Sequence, residues 1–209
     1  MESVVGRWVF LALLMGCGCG CSVVMSDQPM GSAAVTDLSG WEGVWRAEGE
    51  DCPVRVEVAD AERGELRLSA ADEDACPFGD DDPPKEFMVV VRQSGNKTYA
   101  SIDCTNDDCS RNDGPADRFL WALVDVGDDA IRVSVPITKA FVALVDQGLL
   151  TGERVRPDYG TAPDDVLLFA PEDWEYDVIA AEDPALLVDM KNPLKLRRVT
   201  PELSSEPRP

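Results

Sequence analysis

The chain has no histidine, so its chemically reactive side chains are carboxylates, lysines, serines and seven cysteines. Without histidine, a Ser-His-Asp triad, a Cys-His pair and every histidine-ligated metal site are excluded. No glycine-rich phosphate-binding loop is present. The chemistry that remains is carboxylate-based hydrolysis or the binding of a hard cation such as calcium.

Acidic residues are abundant, with 40 Asp and Glu against 19 Lys and Arg. Glycoside hydrolysis needs two carboxyl groups about 5–9.5 Å apart in a cleft, and composition alone selects no such pair. Calcium needs several oxygen ligands, and these are grouped in three places: Asp72-Glu73-Asp74, Asp80-Asp81-Asp82, and Asp103 to Asp113. None has the EF-hand spacing, so hydrolase and calcium-binding functions are kept as alternatives.

The net charge of −21 sets the classes of partner that the protein can attract. A chain this acidic is repelled by nucleic-acid phosphates, so nucleic-acid binding is excluded. Acids are concentrated between Glu50 and Asp82, a stretch that could steer a basic envelope protein. No cofactor is expected.

One cysteine has a sequence context that predicts its chemistry. An apolar run from Trp8 to Met15 follows Arg7, and it is too short to span a membrane but has the length of a signal-peptide core. It ends in Leu14-Met15-Gly16-Cys17, which resembles the lipobox of bacterial lipoproteins. That resemblance implies that residues 1–16 are a signal peptide, and that Cys17 becomes the lipidated first residue. The protein would then be exported and lipid-anchored to the bacterial membrane. Gly18 resembles the residue found in lipoproteins of the outer membrane, facing the periplasm or the surface.

Four further cysteines fall within the predicted domain. An even number in an exported chain favours disulfide bonds. Cys104 and Cys109 flank a short polar turn and are predicted to pair with each other, which leaves Cys52 to pair with Cys76. A zinc site is the alternative, but Cys52 and Cys76 lack the close spacing that such sites usually show.

The elements that must position these residues are mostly strands. Apolar and polar residues alternate from Val54 to Val58 and around Leu66, and a turn ending in Gly64 joins the two runs into a hairpin. Two further hairpins are predicted, one from Phe87 to Val91 and Thr98 to Ile102 around Ser94-Gly95-Asn96, the other from Phe119 to Val126 and Ile131 to Val135 around Gly127-Asp128-Asp129. The remaining strand candidates are Trp41 to Arg46, Val166 to Phe169 and Leu194 to Val199.

Two helices are predicted in the C-terminal half. The first begins at Thr138 as N-cap and ends before Gly148, and the second covers Pro171 to Ala181. Together these elements predict a mainly β fold, an antiparallel barrel-like or sandwich domain of about nine short strands with one or two short helices. The predicted domain covers residues 41–199, between a flexible tether over 17–40 and a disordered tail over 200–209.

The layout from Gly43-Val44-Trp45 to Leu194-Lys195-Leu196 resembles that of uncharacterised lipocalin-like envelope lipoproteins. The resemblance implies a barrel that is anchored to the membrane through the lipid on Cys17. We therefore expect a non-catalytic binding or structural lipoprotein, whose partner is an apolar small ligand inside the barrel or a basic envelope protein. An apolar cavity of about 300–1,000 Å³ would favour the small ligand.

Overall fold

The structure is a computed structural model that describes residues 22–72, 86–104, 118–155, 164–169, 179 and 184–199. The strands are β1 (Val24–Ser26), β2 (Ala33–Ala34), β3 (Gly43–Ala47), β4 (Pro53–Asp60), β5 (Glu65–Ala70), β6 (Phe87–Ser94), β7 (Lys97–Asp103), β8 (Phe119–Val126), β9 (Ala130–Ser134), β10 (Gly152–Val155), β11 (Asp165–Leu168) and β12 (Leu194–Arg198). The helices are α1 (Thr138–Asp146) and α2 (Pro184–Leu187).

Eight of these strands form a closed antiparallel barrel. They follow one another in the order β8-β7-β6-β5-β4-β3-β12-β9, and β9 pairs back with β8. Closure removes the free strand edges that an open sheet would present to other chains. The predicted mainly β, barrel-like fold is therefore confirmed.

Side chains alternate between the inside and the outside of the barrel, as the sequence pattern predicts. In β4, Val54 and Val56 are buried while Arg55 and Glu57 are exposed. The turn between β4 and β5 contains Gly64 at a φ of 72°, a conformation that glycine adopts without steric cost. The hairpins β4–β5, β6–β7 and β8–β9 all form as predicted.

Helix α1 packs against the outside of the barrel and forms a second apolar core. Phe141 is fully buried, and its ring meets Trp121 edge-on with centroids 5.3 Å apart. Trp121 in turn contacts Tyr99 of β7 at 6.0 Å. Burial here raises the pKa of the Tyr99 hydroxyl to about 12. The helix ends at Asp146 and is followed, after the C-cap residue Gln147, by Gly148 at a φ of 68°.

The start of α1 differs from the prediction. The N-cap is Ile137, whose side chain offers no cap hydrogen bond, and Thr138 is the first helical residue. The Thr138 hydroxyl instead donates a hydrogen bond to the carbonyl of Ser22, at 2.9 Å. The prediction of Thr138 as N-cap was wrong because a distant segment provides the acceptor for its hydroxyl.

Residues 22–40, expected to belong to a flexible tether, instead form part of the folded domain. Strand β1 pairs in parallel with β11 and antiparallel with β8, and β2 pairs with β6. Met30 and Leu38 have 0 % and 2 % of their surfaces exposed. The apolar residues of this segment show no regular period, and the strands with which it pairs lie more than 50 residues away in sequence, so no local pattern predicts the pairing.

Several predicted regions lie outside the described residues. They are the signal peptide over 1–16, residues 17–21 of the tether, the helix over Pro171 to Ala181 apart from Ile179, and the tail over 200–209. Within the part of the chain that the structure describes, no helix is long and apolar enough to cross a membrane.

Candidate ligand-binding cavity

The barrel encloses a cavity of about 330 Å³ that opens to the outside. Apolar side chains from the inner faces of seven barrel strands line most of it, among them Val56, Leu66, Val89, Ile131 and Leu196. Of the described lining residues, only Ser22 and Asp189 have side chains with oxygen atoms. The volume lies at the lower end of the range for small-molecule sites.

Two alanines leave space in the wall of this cavity. Ala100 of β7 and Ala122 of β8 are direct cross-strand partners, and both line the cavity. Cross-strand neighbours lie about 4.5–5.5 Å apart, so two methyl groups side by side leave a depression where larger residues would fill the interior. The cavity therefore follows in part from the register between β7 and β8.

The opening of the cavity is a fork in the barrel wall beside β8. The second half of β8, from Leu123 to Val126, pairs with β9, whereas Phe119 and Leu120 at its start pair with β1. Continuing the β8–β9 register would place Pro136 opposite Trp121. Proline has no N–H to donate and cannot extend the ladder. β9 therefore leaves β8 at this point, and we call the resulting opening the fork.

Backbone hydrogen bonds fix one side of the fork. Pro136 forms an isolated bridge with Val188. The N–H of Ile137 donates to the Leu187 carbonyl at 2.8 Å, and the N–H of Asp189 donates to the Val135 carbonyl at 2.9 Å. The chain that leaves β9 is thus paired with the segment after α2.

The other side of the fork is the start of the described chain. Ser22 accepts the hydrogen bond from Thr138, and the N–H of Val23 donates to Asp165 Oδ1 at 2.7 Å. The Val23 carbonyl accepts from the N–H of Val166, at 2.9 Å. These bonds hold residues 22–24 along the opening, where all three line the cavity.

Asp189 is the only carboxylate among the described lining residues, and its surroundings keep it ionised. A hydrogen bond from the Asn192 side chain, with backbone N–H groups of Asn192 and Lys191, lowers the pKa of Asp189. A general acid for glycoside hydrolysis needs a raised pKa instead. Asp189 can therefore orient a polar group at the fork, but it is unsuited to protonate a leaving group.

The acidic residues proposed as calcium ligands do not form a cluster in the described part of the chain. Asp72 and Asp103 lie within it, and no group of three or more potential metal ligands is found among the described residues. The other candidates, Glu73, Asp74, Asp80-Asp81-Asp82 and the residues from 105 to Asp113, lie outside the described residues.

The described part of the chain includes two of the five cysteines for which a role was predicted. Cys52 and Cys104 are buried, with 3 % and 7 % of their surfaces exposed. Cys76, Cys109 and the lipidation candidate Cys17 lie outside the described residues. The pairings of Cys52 with Cys76 and of Cys104 with Cys109 therefore stay predictions, as does lipidation of Cys17.

Ser94 and Lys97 have the Ser-x-x-Lys spacing of some acyl-transfer enzymes and are not among the candidates named from sequence. They face each other across the β6–β7 turn. Lys97 Nζ donates a hydrogen bond to the carbonyl of Ile179 at 3.0 Å, so the amine acts there as a donor and not as a base. The spacing reflects a two-residue hairpin turn.

The fork and the lining alanines are the functional features that sequence reasoning missed. The only local signal was Pro136, which ends the apolar alternation of β9 and lies where a regular hairpin partner would continue.

In comparisons with known proteins, no family model, no curated protein and no solved structure matches this chain.

Proposed function

We propose that this protein is a membrane-anchored, non-catalytic lipoprotein that binds a small apolar molecule inside its barrel. The observation that carries the proposal is the open cavity of about 330 Å³, which is lined almost entirely by apolar side chains. A closed antiparallel barrel is well suited to this role, because its strands satisfy one another's backbone groups and leave an apolar interior.

The cavity volume limits the size of the ligand. A cavity of about 150 Å³ lined by apolar residues accommodates benzene. By proportion, a volume of about 330 Å³ holds on the order of a dozen non-hydrogen atoms. A saturated chain of about twelve carbons or a two-ring aromatic molecule meets this limit.

Equilibrium binding of 1-naphthylamine, a two-ring aromatic probe whose emission shifts to shorter wavelength in apolar surroundings, tests the proposal. We expect a saturable shift of the emission with a Kd of about 1–100 µM, from the usual affinity per atom of small ligands. Dodecanol, added as a competitor, is expected to displace the probe and reverse the shift. If the emission spectrum does not change on adding the protein, or changes without saturation and without any effect of dodecanol, the proposal is wrong.

The membrane anchor is the second part of the proposal, and the lipobox-like sequence ending at Cys17 supports it. We expect the wild-type protein to incorporate an alkyne-bearing fatty acid during growth in a bacterium, and the Cys17→Ala variant to lose at least nine-tenths of that label. Cys19→Ala is the matched control and is expected to keep the label. Equal labelling of the Cys17→Ala variant and the wild type would contradict the assignment.

A further inference from the structure

We infer that the fork faces the membrane, and that the cavity takes up a single-chain amphiphile with a neutral or zwitterionic head directly from the bilayer. This inference rests on the proposed function and names the class of ligand and its route. Three observations at the fork carry it: where the anchor joins the domain, where the exposed apolar residues lie, and how charge is distributed.

The anchor joins the domain at the edge of the fork. Residues 22–24 line the cavity and are held there by hydrogen bonds from Thr138 and to Asp165. Cys17 precedes Ser22 by five residues. An extended chain covers at most about 3.3–3.6 Å per residue, so the backbone of Cys17 lies within about 18 Å of Ser22. An anchor this short keeps the fork side of the barrel close to the bilayer.

Exposed apolar side chains are concentrated on the same side. Among the described residues, five large apolar side chains have between 36 % and 60 % of their surfaces exposed. Three of them, Ile137, Leu186 and Met190, belong to the two segments that pair beside the fork. Ile137 also lines the cavity and is 36 % exposed, so it connects the apolar interior with the outer surface.

The charge of these segments differs from that of the whole chain. Residues 22–24, 135–139 and 186–192, together with Asp165 that holds Val23, contain two lysines, Lys139 and Lys191, and two acids, Asp165 and Asp189, for a net charge of zero. The chain as a whole has −21. An acidic protein that approaches a phospholipid surface does so at least cost through the side that has no excess of acid.

The same charges select the head group of the ligand. The interior of the cavity is apolar and accepts an acyl chain, whereas the oxygen-bearing side chains of Ser22 and Asp189 both lie at the fork. A chain inserted through the fork therefore leaves its head beside the ionised carboxylate of Asp189. A fully anionic head would be repelled by this carboxylate, and the lysines carried by the same segments, Lys139 and Lys191, offset its attraction for a fully cationic head.

A photoactivatable monoacylglycerol tests both parts of the inference. The probe is a twelve-carbon 1-acylglycerol with a diazirine on its chain, delivered either in phosphatidylcholine vesicles or in buffer. The full-length lipidated protein is illuminated, and covalent capture is measured for the wild type and three variants. Ala122→Leu reduces the cavity, Leu186→Glu places a charge on the exposed apolar surface beside the fork without touching the cavity lining, and Leu149→Glu is the matched control on an exposed apolar residue beyond the other end of α1.

We expect Leu186→Glu to reduce capture from vesicles at least fivefold and to change capture from buffer less than twofold, because Leu186 is exposed and does not line the cavity. Leu149→Glu should match the wild type in both deliveries, and Ala122→Leu should reduce both at least tenfold. If Leu186→Glu and Leu149→Glu capture equally from vesicles, the membrane-facing fork is wrong while the proposed binding function stands. If the wild type captures no more than Ala122→Leu from either source, the proposed function fails as well.

Discussion

Replacing Ala122 with leucine is expected to weaken the binding of 1-naphthylamine at least tenfold and to stabilise the protein at the same time. Ala122 is 7 % exposed, lines the cavity and lies opposite Ala100 on the neighbouring strand. A leucine adds three carbons to the cavity and removes space from a site that holds only about a dozen ligand atoms. Affinity falls because the probe no longer fits beside the added side chain.

The stabilising effect of the same substitution follows from burial. Each buried CH₂ group contributes about 0.8 kcal/mol, and ordering a leucine side chain costs about 0.5–1 kcal/mol. The net gain in the free energy of unfolding is therefore about 1–2 kcal/mol, which corresponds to a rise in Tm of about 2–8 °C for a domain of this size. Weaker binding together with a higher free energy of unfolding is what we expect when a protein retains an unfilled binding cavity that lowers its stability.

Ala143→Leu is the matched control for Ala122→Leu, because Ala143 is exposed on helix α1. We expect it to change neither the free energy of probe binding nor the free energy of unfolding by more than about 0.5 kcal/mol. Thermal unfolding and probe titration are measured on all three proteins. A fall in Tm for Ala122→Leu would mean that the interior beside Ala122 has no room for three carbons, and would contradict the cavity at this position.

The barrel was predictable from sequence because its signal is local. Alternation in β4 places Val54 and Val56 on one face and Arg55 and Glu57 on the other, and this pattern needs no knowledge of the partner strand. The β4–β5, β6–β7 and β8–β9 hairpins join neighbours in sequence, so the turns identified them. Strand β12 pairs with β3 and β9 and so closes the barrel. All three of these strands were predicted from the same alternation of apolar and polar residues.

The cavity and the fork were not predictable, because they depend on pairings between distant segments. Ala100 and Ala122 become neighbours only through the register of β7 on β8, and each alanine by itself is an ordinary strand residue. The fork exists because β1 takes the place of β9 along the first half of β8. Strand β1 has three residues, too few to show a period, so its segment was expected to be a tether.

Replacing Trp45 with alanine is expected to destabilise the protein by about 3–5 kcal/mol, since it removes a large, fully buried side chain. Trp45 lies on β3 and belongs to the main apolar core of the barrel. Its indole N–H donates to the carbonyl of Trp41 at 2.7 Å. Small domains are stable by only about 5–15 kcal/mol, so this change removes a large share of the total.

Arg198 covers Trp45 and gives the same position a second source of stability. The guanidinium carbon lies 4.3 Å from the centroid of the indole ring. Its two terminal nitrogens donate to the carbonyls of Gly40 and Glu42. The Arg198 side chain thus connects the end of β12 to the residues before β3, at the end of the barrel where β8 also terminates.

Two milder variants separate these contributions, and urea unfolding followed by circular dichroism measures all of them. Trp45→Phe keeps an aromatic ring and leaves the Trp41 carbonyl without its donor, which should cost about 1–3 kcal/mol. Arg198→Met keeps an unbranched side chain and removes the cation and its donors, which should cost about 1–2 kcal/mol. The double variant with Trp45→Phe and Arg198→Met should lose a free energy of unfolding that differs by at least 0.5 kcal/mol from the sum of the losses in the two single variants, since the two residues are in contact.

Leu149→Ala is the control for this series, because Leu149 is 46 % exposed and belongs to neither apolar core. Its substitution should change the free energy of unfolding by less than about 0.5 kcal/mol. If Trp45→Ala costs no more than Leu149→Ala, Trp45 is not packed in the core and the closure of this end of the barrel is wrong. If the paired changes add without coupling, Arg198 stabilises the end of β12 through its carbonyl acceptors alone, and its contact with the indole face contributes nothing measurable.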